Sequence, residues 1–92
     1  MTVGAVADAS DAAQARIFLD QLDTEIDVLS QRIESTEALA DRARTDHQRR
    51  LTDQLGAEVA GLRGELFEVH RLVDALVFRF PEVIRRDPPA LA

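Results

Sequence analysis

The side chains of this chain best able to carry chemistry are two histidines, seventeen carboxylates and eleven arginines; cysteine is absent. Without thiols there is neither a disulfide framework nor a thiolate metal site. A helical di-metal carboxylate centre needs Glu-x-x-His on facing helices. Three residues before His47 stands Arg44, and three before His70 stands Phe67, so the pattern fails at both. The histidines therefore read as rim residues, and no metal or cofactor is expected. A Ser-His-Asp triad is assembled in space and cannot be argued from spacing. The carboxylates fall almost entirely on polar helix positions, which gives no support to paired-acid catalysis. One cluster stands out: Arg42, Arg44, Arg49 and Arg50, with only Asp46 among them. Guanidinium groups gathered in this way can grip a phosphate or an acidic surface. The plainer reading is a solvated, salt-bridged turn.

The rest of the composition limits the choice of function. Ninety-two residues make one domain at most. The formal net charge is -6. A duplex-coating or membrane-surface protein needs a basic footprint, so neither nucleic acid nor membrane is an expected partner. The opening residues show no basic stretch leading into an apolar one, and no apolar run approaches a membrane span; the expectation is cytoplasmic. With four Phe and no Trp or Tyr, any core is built from Leu, Ile, Val and Ala, which suits helix-on-helix packing.

The elements that would position the arginines are helices. No proline occurs before Pro81, and no glycine between Gly4 and Gly56. Ala15, Leu19, Leu22, Ile26, Leu29, Ile33, Thr36, Ala40 and Ala43 follow one another at alternating steps of four and three, the spacing of a heptad seam. Leu19, Ile26, Ile33 and Ala40 take position a, and Ala15, Leu22, Leu29, Thr36 and Ala43 take d. Phe18 and Leu39 flank this seam and widen its apolar face. A second seam runs Leu55, Val59, Leu62, Leu66, Val69, Val73, Leu76, Phe80. The registers do not join, since the first would place His47, Gln54 and Gly61 at a. The chain is therefore expected to break between about residues 43 and 51. Thr45 to Gln48 offers a capping box at that break.

The expected architecture is all-α: a long antiparallel hairpin with helices at 12–44 and 47–79, dimerising into a four-helix bundle or coiled coil. Residues 1–9 read as a flexible tail, with Ser10 or Asp11 as the first N-cap. Residues 10–80 form the hairpin, and 81–92 a short turn and tail, because the residue before Pro81 disfavours helix. A continuous helix with a stutter is the alternative to the hairpin, and parallel pairing of two first arms, with Arg32 meeting Glu37, the alternative to antiparallel. Gly56, Ala57, Ala60, Gly61 and Gly64 put small residues along the second arm. Close approach of another backbone is one reason for them and a local kink is the other.

Leu19-Asp-Gln-Leu22-Asp-Thr-Glu-Ile26, followed by Arg32-Ile-Glu34, resembles the opening helix of the all-helical chorismate mutases. The resemblance implies a dimeric helical enzyme with Arg16 and Arg44 on positions that bind substrate carboxylates, and Asp53 on a further site position. The chain departs from that pattern elsewhere. The mid-helix arginine position holds Ile33, with Arg32 one residue away. The second-helix glutamate position holds Ala57, and the family's loop and C-terminal Ser and Gln are missing.

The leading functional expectation is a non-enzymatic interaction or assembly protein, an adaptor or regulatory subunit acting through an apolar helix face. Its core and interface residues are Leu19, Leu22, Ile26, Leu29 and Ile33 on the first arm, and Leu62, Leu66, Val69, Val73 and Leu76 on the second. Its partner is a second copy or another helical protein. The alternatives are the chorismate-mutase-like enzyme and an anion binder acting through the arginine tip.

Overall fold

A computed structural model describes the backbone of residues 3–83 and the side chains of residues 10–83. It is an antiparallel helical hairpin. Helix α1 spans Val3–Thr45 and helix α2 spans Arg49–Arg79, followed by a single 3-10 turn at Pro81–Val83. No strand occurs among the described residues. The two registers break where they fail to join, so the chain turns back rather than stuttering.

The arms are unequal, 43 residues against 31. The expected cap at Ser10 or Asp11 is not a helix start: α1 begins at Val3, and residues 3–9, expected as tail, are helical. The physical reason is local. Ala5, Ala7 and Ala9 are the strongest helix formers available, and nothing after Gly4 breaks the run. Residues 84–92 of the expected C-terminal tail lie outside the described residues.

The turn also differs from the expected capping box. Thr45 is the last residue of α1, and its hydroxyl donates to the Asp41 carbonyl one turn back. His47 adopts the left-handed conformation, φ 60°. Around it the His47 amide donates to the Arg44 carbonyl and the Gln48 amide to the Ala43 carbonyl, at 3.1 and 2.8 Å. This pair of bonds is a Schellman closure, which satisfies carbonyls that the end of α1 leaves orphaned. Glycine normally fills the left-handed position, because any Cβ there is strained.

The a and d residues of both arms meet along the hairpin. Leu29, Ile33, Val59 and Leu62 form one buried cluster, with Leu66 and Val69 packed against it. Ala15, Leu19 and Val83 form the other, joined by Val73, Leu76 and Phe80. Leu29 retains only 1% of its surface; burying a leucine contributes about 1.5–3 kcal/mol. Thr36 occupies the seam as its one buried polar side chain among the described residues.

Two helices side by side form a single layer. The molecule measures 67 × 33 × 15 Å, with a radius of gyration of 19.1 Å. A compact domain of this length would have about 12 Å. A layer this thin cannot enclose its own seam. Ile26, Leu66, Val69, Val73 and Leu76 accordingly stay half-buried. The three glycines of α2 have nothing within 4 Å of where a Cβ would stand, so no backbone approaches them in this chain.

Candidate functional site

The heptad fixes which side of the hairpin each residue occupies. Positions e and g border the seam on opposite edges. In an antiparallel pair, e residues of one arm lie beside e residues of the other, and g beside g. An ion pair between the arms fits this register: the Arg63 guanidinium on α2 pairs with the Glu37 carboxylate on α1, both at e. Elsewhere the e side holds Arg16, Asp23, Ser30 and His70, with Gly56 near the turn and half-buried Val77 near the open end.

The g side is different. Phe18 and Leu39 of α1 and Leu51 and Leu72 of α2 stand there, each more than 40% exposed. A depression at the open end of the hairpin is lined by Phe18, Leu76, Arg79 and Phe80, among others. Another, beside the turn, is lined by Leu39, Leu51 and Leu55 together with Arg42 and Asp46. Between these apolar ends lie Glu25 and Arg32 on α1 and Glu58 and Glu65 on α2. The half-buried Leu76 opens onto this side.

Two further surfaces lie on the outer faces. On α2, Phe67 and Phe78 are exposed, Phe78 at 88%. They are eleven residues apart and so share one line of the helix. On α1, positions c and f point away from α2. From Ser10 to Ala38 they hold Ser10, Gln14, Ile17, Gln21 and Thr24, then Val28, Gln31, Ser35 and Ala38. All nine are exposed and none is charged. Every charge in that stretch falls at b, e or g. On an ordinary solvated helix the outermost positions carry the charges, since ions there keep their water.

At the tip the predicted arginines divide: Arg44 and Arg49 line one depression, Arg42 lines the one beside Leu39 and Leu51, and Arg50 lines neither. Arg44 pairs with Asp41 at 3.0 Å, both exposed. Arg42, Arg49 and Arg50 make no ion pair among the described residues. A depression lined by Arg44, His47, Gln48, Arg49, Thr52 and Asp53 sits over the start of α2. No side chain caps that start, and the first amide bonded back into the helix is that of Thr52, to the Gln48 carbonyl. The amides before it keep their donors.

The positions drawn from the chorismate mutases divide between two places. Arg44 and Asp53 border the tip depression. Arg16 lies twenty-eight residues back along α1, about 42 Å at 1.5 Å per residue. One chain does not gather the three around a common pocket. The two histidines are exposed, and no group of three or more metal-ligating side chains occurs among the described residues.

The ten seam residues read from the heptads all lie between the arms of one chain. Leu19, Leu22, Leu29, Ile33 and Leu62 are buried and the other five half-buried. Sequence reasoning missed Val83, which is 2% exposed against Ala15 and Leu19. It lies in the short turn expected after Pro81, one step of three beyond Phe80, and the 3-10 turn folds it back, with its amide bonded to the Phe80 carbonyl. No helix among the described residues is long and apolar enough to cross a membrane. No family's sequence model, no curated protein and no solved structure matches the chain.

Proposed function

We propose that the chain is a non-enzymatic helical interaction protein that self-associates through the g side of its hairpin, two copies forming a four-helix bundle. The observation that carries this is the set of four large exposed apolar side chains, Phe18, Leu39, Leu51 and Leu72, on one side only. A second layer laid on that side covers them and completes the burial of Val69 and Leu76, the half-buried d residues beside it. In a copy turned end for end, the Leu39–Leu51 end of one hairpin covers the Phe18–Leu72 end of the other, with Glu25, Arg32, Glu58 and Glu65 of each between them. The test is the solution mass by light scattering at micromolar concentration in moderate salt. A dimer is the expected result; a monomer sinks the reading.

Arg44 and Arg49, which line the depression over the uncapped start of α2, favour a second activity, binding of phosphate groups at the tip. Titration with inorganic phosphate, followed by amide shifts of Arg49 to Thr52, tests it. Binding should weaken with added salt and with Arg49→Ala and Arg50→Ala together. Unmoved amides remove this reading and leave the first intact.

A further inference from the structure

Among the described residues nothing packs on the outer face of α1. Of its nine c and f positions six hold Ser, Thr or Gln, and exposed Ile17 and Val28 are the large apolar members. Shallow depressions lie along it, one lined by Gln14, Ile17, Phe18 and Gln21 and another by Val28, Gln31, Arg32, Ser35 and Thr36. Exclusion of charge is its strongest property. An ionised side chain can be accommodated at an outermost helix position at little cost, whereas one desolvated beneath a partner is expensive. Ser, Thr and Gln tolerate such covering, because they can hydrogen-bond across an interface.

The edges of this strip say what covers it. Position b borders it on one edge and holds Asp20, Asp27, Glu34 and, past its end, Asp41, an acidic row at seven-residue intervals. Position g borders the other edge, where Asp11, Glu25 and a single Arg32 alternate with the exposed Phe18 and Leu39. A second copy fits badly. Antiparallel pairing through the strip sets the acidic row of each copy against itself, and parallel pairing sets it against Asp11 and Glu25. An anionic lipid surface meets the same repulsion.

We infer that the outer face of α1 docks an amphipathic helix of a different protein, one with a small or apolar seam and Lys or Arg along the flank that meets the acidic row. The hairpin then has two faces for two partners: the g side for its own copy, and the back of α1 for a basic-flanked helix.

The test pans a display library of single amphipathic helices, with randomised flanking positions, against the full chain. Enriched helices should carry Lys or Arg on a flank. Ile17→Glu with Val28→Glu should weaken their binding by about tenfold or more, while leaving helicity and solution mass as in the unaltered chain. Asp27→Lys with Glu34→Lys should turn the enriched flanks acidic. No enrichment, enrichment without a basic bias, or binding that survives Ile17→Glu with Val28→Glu would each overturn the inference. So would a fall in solution mass in that double variant, which would assign the strip to a second copy.

Discussion

The two edges of the hairpin are built on one seam and behave as opposites. On the e edge, Arg63 reaches across to Glu37, and the side chains around them are hydrated polar groups. On the g edge, Phe18, Leu39, Leu51 and Leu72 stand in water with no partner layer above them. Both edges flank the same a and d residues, so the hairpin's own packing does not require the difference. An isolated two-helix protein would do best with charges on both. The proposed second layer rests on this asymmetry.

The largest effect should come from breaking what the two edges share. Leu29→Asp puts an unpaired carboxylate at the most buried point of the seam. It should cost several kcal/mol and unfold the chain, read as loss of the helical circular dichroism signal at 25 °C. Full helicity in that variant would mean that the register is wrong, and the edges with it.

A smaller effect, of opposite sign, tests the back of α2. Gly64 lies in the helix interior with open space where its Cβ would be. Gly64→Ala should raise stability by about 1 kcal/mol in urea denaturation. Destabilisation would show that something packs against the back of α2. At the turn, His47→Gly relieves a left-handed residue that has a Cβ. A gain of about 0.5–1 kcal/mol is expected in the same measurement. A loss would say that the imidazole itself holds the tip.

The smallest effect belongs to the e edge. The Arg63–Glu37 pair is mostly exposed, with side-chain accessibilities of 63% and 42%. Arg63→Ala should therefore change stability by no more than about 0.5–1 kcal/mol, less in high salt. A larger loss would make the e edge part of the core and end the contrast between the edges.

The inner seam was legible because burial in a helix pair leaves a strict record. Leu19, Leu22, Leu29 and Ile33 are buried where the steps of four and three put them. The chain reversal was legible from two registers that do not join. Its chemistry was not, because Thr45-x-x-Gln48 looks the same whether Thr45 opens a helix or closes one. The hydroxyl here bonds back to the Asp41 carbonyl, a helix-interior habit of threonine. The start of α1 was misread because Ser10 is a good cap only where a helix needs one, and the alanines before it carry the helix further. Phe18 and Leu39 were visible as seam neighbours, but their alliance with Leu51 and Leu72 appears only once the arms are paired. The outer strip of α1 was written in the sequence as an absence of charge, a signal that periodicity in apolar residues alone passes over.

The contrast between the edges is tested most directly by the light-scattering mass of three proteins: the unaltered chain, Leu72→Glu on the g edge and His70→Glu on the e edge. Both positions are exposed in the hairpin, so neither change should unfold it. The expected result is a dimer for the unaltered chain and for His70→Glu, and a helical monomer for Leu72→Glu. Equal masses for the two variants, or dissociation by His70→Glu alone, would contradict the account.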